Sequence, residues 1–268
     1  VNVVPTTDAA SVVTTWLQDH RVRKISFTGS TGVGKVLLKQ AADRVLNASM
    51  ELGGNAPFVV TADADLDEAV AGAMIAKFRN GGQACTAANR FFVHEDVADE
   101  FVRRIGAIVD ALPVAPLINA KAVADVSGLV DEAIASGARV AHRGPTGEGG
   151  WYYPATVLVD VRPDLRLVRE EIFGPVVPVL TWSDERAMLK QVNDSEYGLA
   201  AYVYAGRLQD ALRIGEAIDA GMVGINRGVV SDPAAPFGGV KQSGIGREGA
   251  REGIREYQET QYLSVAFS

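Results

Sequence analysis

The chain has 268 residues, of which 47% are hydrophobic and 22% are charged, a balance that is ordinary for a globular protein of one large domain or two smaller ones. The formal net charge of -7 argues against nucleic acid or an acidic membrane surface as the main partner. No apolar run approaches the roughly 20 residues of a membrane span, and a single cysteine allows no internal disulfide, so we expect a cytoplasmic protein without membrane contact.

The first half of the chain alternates between strand-like and helix-like runs. Asp65 stands where a helix N-cap is expected, and the apolar residues after it recur at helical spacing. Val97, Phe101 and Ile105 form one apolar face of the next helix. The strand-like runs are 23–27, 48–52, 56–60 and 90–94, and the helix-like runs are 35–45, 63–78 and 96–109.

The second half continues this alternation. The terminal run TQYLSVAF, residues 260–267, alternates like an edge or pairing strand. The helix-like runs are 119–136, 183–192, 207–218 and 247–257, and the other strand-like runs are 138–142, 156–161, 176–182, 200–205 and 222–226. Repeated strand–helix units predict an α/β fold with a doubly wound, mostly parallel sheet.

A glycine-rich turn, FTGSTGVGKV, follows the first predicted strand. Backbone N–H groups in such a turn can face an anion at the start of a helix. Gly29, Gly34 and Lys35 fit the phosphate-binding pattern of nucleoside triphosphatases, but Val36 has no hydroxyl for Mg²⁺. The spacing also differs from the usual dinucleotide fingerprint. Taken alone, the turn either binds an anion or is a tight connection that binds nothing.

Cys85 is the only cysteine, and it lies in a Gly/Gln/Asn-rich turn between a helix-like and a strand-like run. A lone thiol is either a small buried hydrophobic group or a reactive nucleophile. The histidines, His20, His94 and His142, do not stand at metal-ligand spacing with one another or with Cys85. We therefore expect no metal site.

Five motifs in one order carry a family resemblance: FTGST, MELGGNAPFVV, GGQAC, EEIFGPVVPV and APFGGVKQSGIGRE. With these motifs the chain resembles the aldehyde dehydrogenase superfamily over nearly its whole length. The run KFRNGGQAC and the segment from GINRG to the C-terminus resemble the succinate-semialdehyde dehydrogenases in particular. The resemblance implies the three-layer α/β/α fold of that family and an NAD- or NADP-dependent oxidation of an aldehyde.

The resemblance also implies roles for particular residues. Cys85 falls on the family's nucleophile and Glu51 on its general base, and Arg79 and Ser231 fall on residues that hold the distal carboxylate of a semialdehyde. The cofactor-binding positions are Gly29, Ser30, Thr31, Gly32, Val33, Gly34, Leu52, Glu171 and Phe173, with Glu171 at the ribose and Phe173 beside the nicotinamide. Glu248 resembles a position tied to water activation, and it equally suits an acid in the first turn of a helix.

The chemistry read from these residues agrees with the resemblance. A thiolate that adds to an aldehyde carbon forms a thiohemiacetal, which can release hydride to a nicotinamide and leave a thioester. A carboxylate then deprotonates the water that hydrolyses the thioester. One cysteine, one base and one dinucleotide site suffice, and free N–H groups in the glycine-rich turn can bind the oxyanion.

The chain also departs from the family pattern. It opens with VNVVP rather than Met, and it resembles only the later portion of a family member, so we expect part of the cofactor site to lie outside it. The segment IVDALPVAPLINA is shorter than the family's loop, with Ala115 at a glycine position. We predict a partial dinucleotide-binding domain over 1–53, a catalytic domain over 54–245, and a return to the cofactor domain with a terminal oligomerisation strand over 246–268.

Two other functions stay open at this point: a cofactor-independent cysteine acyltransferase or hydrolase, which needs a histidine near the thiol, and a non-catalytic remnant. For the dehydrogenase, the expected partners are a small-molecule aldehyde and further copies of the chain in a dimer or tetramer.

Overall fold

The computed structural model describes residues 1–267 and contains two main sheets flanked by helices. The helices are α1 (Ala9–Gln18), α2 (Thr31–Ala42), α3 (Leu66–Phe78), α4 (Glu95–Val109), α5 (Ala120–Ala135), α6 (Arg166–Arg169), α7 (Glu185–Asn193), α8 (Leu208–Glu216) and α9 (Ala250–Arg255), with a 3₁₀ turn over Arg79–Gly82. The strands are β1 (Lys24–Thr28), β2 (Asn47–Glu51), β3 (Ala56–Val60), β4 (Ala88–His94), β5 (Arg139–Arg143), β6 (Thr156–Val159), β7 (Val176–Trp182), β8 (Tyr197–Gly198), β9 (Ala200–Tyr204), β10 (Met222–Ile225), β11 (Val240–Lys241) and β12 (Gly244–Ile245).

The larger sheet has seven strands in the order β10-β9-β3-β4-β7-β6-β5, and every neighbouring pair is parallel except β5 with β6. Its central strands are buried on both faces, which explains their continuous apolar runs. Because side chains alternate along a strand, Phe58 and Val60 pack toward α3 and α4, while Val59 packs toward α5, α7 and α8. The predicted α/β fold with a mostly parallel sheet is confirmed.

The smaller sheet joins both ends of the chain. β1 and β2 are parallel, and β12 returns from near the C-terminus to pair antiparallel with β2. Leu17 of α1 and Leu37 of α2 cover this sheet in a separate apolar cluster with Ile25 and Met50. The predicted boundaries at residues 53 and 245 stay predictions. In the described part of the chain, no helix is long and apolar enough to cross a membrane.

Two elements differ from the sequence-based expectation. α1 was not predicted; Asp8 caps it by accepting a hydrogen bond from the N–H of Ser11. The run 260–267, predicted as an edge or pairing strand, is exposed and forms no ladder with any of residues 1–267. A strand needs a hydrogen-bonding neighbour, and this run finds none within its own chain. Its pairing with a second subunit stays a prediction.

Candidate active site

Cys85 lies in the connection between α3 and β4. Just before it, Asn80, Gly81 and Gly82 all take positive φ angles of 53°, 63° and 78°. Asn and Gly tolerate this left-handed region better than other residues. At Gly82 a side chain is also excluded by space, because a Cβ would collide with the carbonyl oxygen of Gly174. The run Asn-Gly-Gly therefore fixes the path of the backbone into Cys85.

The thiol of Cys85 is half-buried and faces an acidic environment. Burial raises its pKa most, and the negative charges of Glu171 and Glu51 raise the pKa further. The backbone N–H groups of Cys85 and Thr86 act in the opposite direction by favouring the thiolate. The thiol is therefore protonated at neutral pH in the free site, so nucleophilic attack requires a group that removes the proton.

Glu51 is the carboxylate best suited to act as that base. It ends β2, in register with Thr28 of β1 and Gly244 of β12, and its side chain is only 5% exposed. One carboxylate oxygen, Oε2, has no hydrogen-bond partner among residues 1–267. Burial, followed by the charge of Glu248, raises the pKa of Glu51 to about 7, against the opposing effect of Arg247. A buried carboxyl that titrates near neutrality can take a proton and give it back.

Glu171 approaches the same place from the loop between α6 and β7. Its Oε1 accepts a hydrogen bond of 3.0 Å from the N–H of Gly54, and a Cβ at Gly53 would lie 2.7 Å from its Oε2. Burial raises the pKa of Glu171, while the Gly54 N–H and the cation of Lys77 lower it. The two glycines after β2 thus let a carboxylate approach the backbone closely.

The glycine-rich turn presents the N-terminus of α2 to solvent. Ser30 caps the helix by accepting a hydrogen bond of 3.4 Å from the N–H of Val33, and the N–H of Gly29 donates to the carbonyl of Glu51 at 3.0 Å. Ser30, Gly32 and Val33 are exposed, and a Cβ at Gly32 would meet no atom within 4 Å. An open helix N-terminus with this geometry fits a pyrophosphate.

The other predicted cofactor positions differ in their accessibility. Thr31 is half-buried and its hydroxyl donates to the carbonyl of Gln242 at 3.3 Å. Gly34 and Leu52 are buried against each other, since a Cβ at Gly34 would lie 2.5 Å from the Leu52 side chain. These two residues pack α2 against β2 and do not form part of a surface that a cofactor could contact. Phe173 is 40% exposed with a φ of 51°, an unusual conformation for an aromatic residue, and its ring is free to cover a ligand.

Arg79 and Ser231 are both exposed, on separate segments of the chain. Arg79 is the C-cap of α3, and its charge acts on the nearby phenol of Tyr202. It forms no ion pair or side-chain hydrogen bond with any of residues 1–267, so its guanidinium is available to a ligand. Ser231 lies in the loop after β10 and likewise makes no side-chain hydrogen bond within the described chain. The structure records no contact between the two residues.

The histidines do not serve the thiol. The ring of His94 stacks edge-on against Trp182, and its Nδ1 accepts from the N–H of Asp96. His142 is engaged with Asp110 at 2.8 Å. No cluster of three or more His, Cys, Asp or Glu residues suited to a metal ion occurs within residues 1–267. Within residues 1–267, the cofactor-independent cysteine hydrolase therefore lacks the histidine partner of the thiol that it requires.

Two buried polar residues near the site were not predicted from the sequence. Lys77, fully buried on α3, donates a hydrogen bond of 2.8 Å from Nζ to Oδ1 of Asn89 on β4. Tyr202 on β9 donates from its hydroxyl to the carbonyl of Thr86, next to Cys85, at 2.8 Å. A signal existed for Lys77, since it continues the face of small residues on α3; for Tyr202 none existed, because a tyrosine in a strand is ordinary.

Comparison with known proteins identifies what the site resembles. A profile of the aldehyde dehydrogenase family matches residues 1–263. The chain is 52% identical over 277 residues to the succinate-semialdehyde dehydrogenase of Paenarthrobacter nicotinovorans, covering 99% of this chain and 62% of that protein. It is 45% identical over 275 residues to the NADP(+) succinate-semialdehyde dehydrogenase of Escherichia coli (strain K12), covering 98% of this chain and 57% of that protein.

A solved structure, described as an NADP-dependent enzyme of Escherichia coli, superposes with a TM-score of 0.94 at 44% identity. The match covers 97% of this chain and 56% of that one. The chain thus spans somewhat more than half the length of the relatives that it matches.

Proposed function

Since the chain belongs to the aldehyde dehydrogenase family, we propose that it carries the nucleophile and the base of an NAD(P)-dependent oxidation of succinate semialdehyde to succinate. The observation that carries the proposal is the convergence of Cys85, Glu51 and Glu171, since both carboxylates act on the pKa of the thiol. Gly54, three residues after Glu51, joins these segments: its N–H donates to Oε1 of Glu171, and a Cβ there would collide with the carbonyl oxygen of Cys85.

The covalent chemistry follows from these groups. Glu51 removes the proton from Cys85, and the thiolate sulfur forms a bond to the aldehyde carbon while the carbonyl oxygen becomes an alkoxide. The N–H groups of Cys85 and Thr86, which favour negative charge at the sulfur, would also stabilise that oxygen. After oxidation the acyl group stays on sulfur as a thioester. Glu51 first releases the proton of Cys85 to solvent and then takes a proton from a water molecule. The hydroxide oxygen bonds to the acyl carbon while the carbon–sulfur bond breaks, which regenerates the thiolate and releases the carboxylate product.

The cofactor that we propose is NAD or NADP. When bound, the nicotinamide supplies the hydride-accepting chemistry that the oxidation requires. The exposed N-terminus of α2, with Ser30 and Gly32, would hold the pyrophosphate, Glu171 would accept hydrogen bonds from a ribose, and Phe173 would lie beside the nicotinamide. The relative from Escherichia coli is named for NADP(+), which supports that choice among the two.

The proposed substrate carries a carboxylate at the end opposite the aldehyde. Arg79 is exposed, unpaired among residues 1–267 and close enough to Tyr202 to affect its pKa, and Tyr202 also senses the charge of Cys85. A guanidinium at this place can bind a carboxylate through two parallel hydrogen bonds. Ser231 would add a hydroxyl donor from the loop after β10.

The test is spectroscopic and uses one matched variant. The protein is mixed with succinate semialdehyde and either NAD+ or NADP+, and the formation of reduced nicotinamide is followed. We expect formation with at least one cofactor and loss of the signal in Cys85→Ser, which exchanges only sulfur for oxygen. Turnover by Cys85→Ser at the original rate would refute Cys85 as the nucleophile, and reduction with butanal but not with the semialdehyde would refute the substrate.

We further propose that the protein assembles with copies of itself and works in the cytoplasm. The exposed apolar side chains near the C-terminus, Tyr262, Leu263, Val265 and Phe267, support an intersubunit role for that run. A catalytic thiol that must stay reduced suits a reducing compartment. Light scattering after size-exclusion chromatography tests the assembly: a monomeric mass for the intact protein would contradict it.

A further inference from the structure

The peptide groups around Cys85 are restrained one after another. The N–H of Ala87 donates to the carbonyl of Ala84 at 2.9 Å, which closes a turn over residues 84–87. The carbonyl of Cys85 lies so close to Gly54 that a Cβ there would collide with it. The carbonyl of Thr86 accepts the hydroxyl of Tyr202 at 2.8 Å. The carbonyls of Ala84 and Thr86 thus each accept a hydrogen bond, and that of Cys85 is packed against Gly54.

The N–H groups of the same turn act on the sulfur. Those of Cys85 and Thr86 lower the pKa of the thiol against the larger effects of burial and of two carboxylates. An N–H lies in one peptide plane with the carbonyl of the preceding residue. The Thr86 carbonyl therefore shares its plane with the N–H of Ala87, which donates to the Ala84 carbonyl in the plane of the Cys85 N–H. The hydroxyl of Tyr202 thus restrains the Cys85 N–H through one intervening hydrogen bond, that from Ala87 to Ala84.

That side chain is fixed in the core. Tyr202 is 1% exposed, and its ring lies 5.9 Å, centroid to centroid, from that of Phe58. Burial raises the pKa of its phenol to about 12, against the opposing effects of the Thr86 side chain and the Arg79 charge. The hydroxyl therefore keeps its proton at any physiological pH and remains a donor.

We propose that Tyr202 is a positioning residue for the nucleophile: its hydroxyl holds the peptide plane of the Thr86 carbonyl and the Ala87 N–H, and through the Ala87–Ala84 hydrogen bond it keeps the N–H of Cys85 directed at the sulfur and at the oxygen of the bound substrate. The inference rests on Cys85 as the nucleophile of the proposed function. Without the hydroxyl, the Thr86 carbonyl is left unsatisfied in the core and the turn relaxes toward another donor. The thiolate then loses part of its hydrogen bonding.

A matched control lies two residues away on the same strand. Tyr204 points to the same side of β9, is 3% exposed and stacks on Phe58 with 5.0 Å between ring centroids. Its hydroxyl packs against Gly72 of α3, not against the turn of Cys85. Tyr204→Phe therefore removes the same atom from the same strand without touching the nucleophile.

The experiment measures the rate at which iodoacetamide alkylates Cys85 as a function of pH. For Tyr202→Phe we expect the midpoint of the profile to move to higher pH and the rate at neutral pH to fall by roughly threefold to tenfold, as the thiolate fraction falls. The alkylation rate of Tyr204→Phe should stay within about twofold of that of the unaltered protein over the same pH range. Amide hydrogen exchange of the peptide containing residues 84–87 should be faster in Tyr202→Phe alone.

An unchanged alkylation profile in Tyr202→Phe, or an equal shift in both variants, would overturn the inference. Because alkylation needs neither aldehyde nor cofactor, its outcome is independent of whether the protein oxidises succinate semialdehyde. A protein that fails to oxidise the aldehyde but shows the Tyr202-specific shift refutes the proposed function and retains the positioning role.

Discussion

At the scale of single residues, burial controls protonation throughout the site. It is the largest cause of the raised pKa at Cys85, at Glu51 and at Glu171. A buried thiol next to two carboxylates ionises with difficulty, so the reaction depends on proton transfer to a base and not on a thiolate already present. In the proposed reaction, Glu51, whose pKa is raised to about 7, is therefore the group whose protonation state should limit turnover.

The pH dependence of turnover should report Glu51. Only the ionised carboxylate accepts a proton, so aldehyde oxidation should rise as pH increases through about 7, where Glu51 loses its proton. Glu51→Gln should lower steady-state turnover by on the order of 10²-fold and remove this limb. The measurement is kcat against pH for both proteins. If the rising limb persists at the same pH in Glu51→Gln, another group is the base.

Arg79 should determine preference for a charged substrate. Arg79→Ala should weaken kcat/KM for succinate semialdehyde by about 2–4 kcal/mol, because the substrate carboxylate loses its charged partner. Butanal, which has no carboxylate, should be affected little. Arg186, an exposed arginine on α7, is the matched control and its replacement by Ala should change neither value. Equal losses for the two aldehydes in Arg79→Ala would assign the residue a structural role only.

At the scale of elements, α3 and β4 enclose an ionisable group, the fully buried Lys77, which donates a hydrogen bond to Asn89. The pKa of Lys77 falls to about 7 because burial outweighs the attraction of Glu171. Because the folded-state pKa of this lysine lies below the unfolded value, the unfolded chain binds the proton more tightly. A charged Lys77 therefore lowers the free energy of unfolding. Its contribution to stability therefore increases as pH rises from about 7 toward the unfolded value near 10.

Lys77→Met should remove that pH dependence. Between pH of about 7 and about 9, the free energy of unfolding of the unaltered protein should rise by about 2 kcal/mol relative to Lys77→Met. Urea denaturation at both pH values measures the difference, and other titrating groups cancel between the two proteins. Lys190, exposed on α7, provides the control Lys190→Met, for which no such difference is expected. A constant difference between the unaltered protein and Lys77→Met would mean that Lys77 stays charged in the fold.

The glycine turn between α3 and Cys85 should tolerate no side chain. At Gly82 an added Cβ meets both a positive φ and the Gly174 carbonyl, so Gly82→Ala should cost at least about 2 kcal/mol of unfolding free energy. Gly128 in the middle of α5 has open space around it, and Gly128→Ala should instead stabilise by about 1 kcal/mol. Thermal unfolding of both variants decides the matter, and equal stability of the two would contradict a close-packed turn.

Periodicity predicted most elements to within a few residues, and the exceptions have physical causes. α1 contains Val12, Val13, Thr14 and Thr15, whose branched side chains favour strands, and the helix forms because Asp8 caps it and Leu17 packs on the smaller sheet. Residues 260–267 alternate as a strand does but have no hydrogen-bonded neighbouring strand within residues 1–267.

In the site, the order of the motifs predicted Cys85, Glu51 and Glu171 as functional residues. Lys77 and Tyr202 depend on contacts between distant segments, which no local pattern contains.

At the scale of the whole molecule, the site forms where the two sheets meet. Glu51 ends a strand of the smaller sheet, and Cys85 precedes a strand of the larger one. Ser243 links the regions: its hydroxyl donates to the carbonyl of Gly53 at 2.7 Å and accepts from the N–H of Gly198 at 3.0 Å, and its carbonyl accepts from Leu52 N–H at 2.9 Å. The proposed base and the proposed nucleophile are thus brought into one region by the assembled fold and not by a local motif.

The most direct test of that arrangement is to identify the acylated residue. Glu51→Gln is mixed with succinate semialdehyde and NADP+, quenched in acid, digested and mapped by mass spectrometry. At alkaline pH, hydroxide from solvent can still deprotonate the thiol of this variant, but no group activates the water that hydrolyses the thioester, so a succinyl group should accumulate on the peptide containing Cys85. Cys85→Ser should show none. Formation of reduced cofactor without acylation of Cys85, or acylation of any other residue, would contradict the assignment of Cys85 as nucleophile and Glu51 as base.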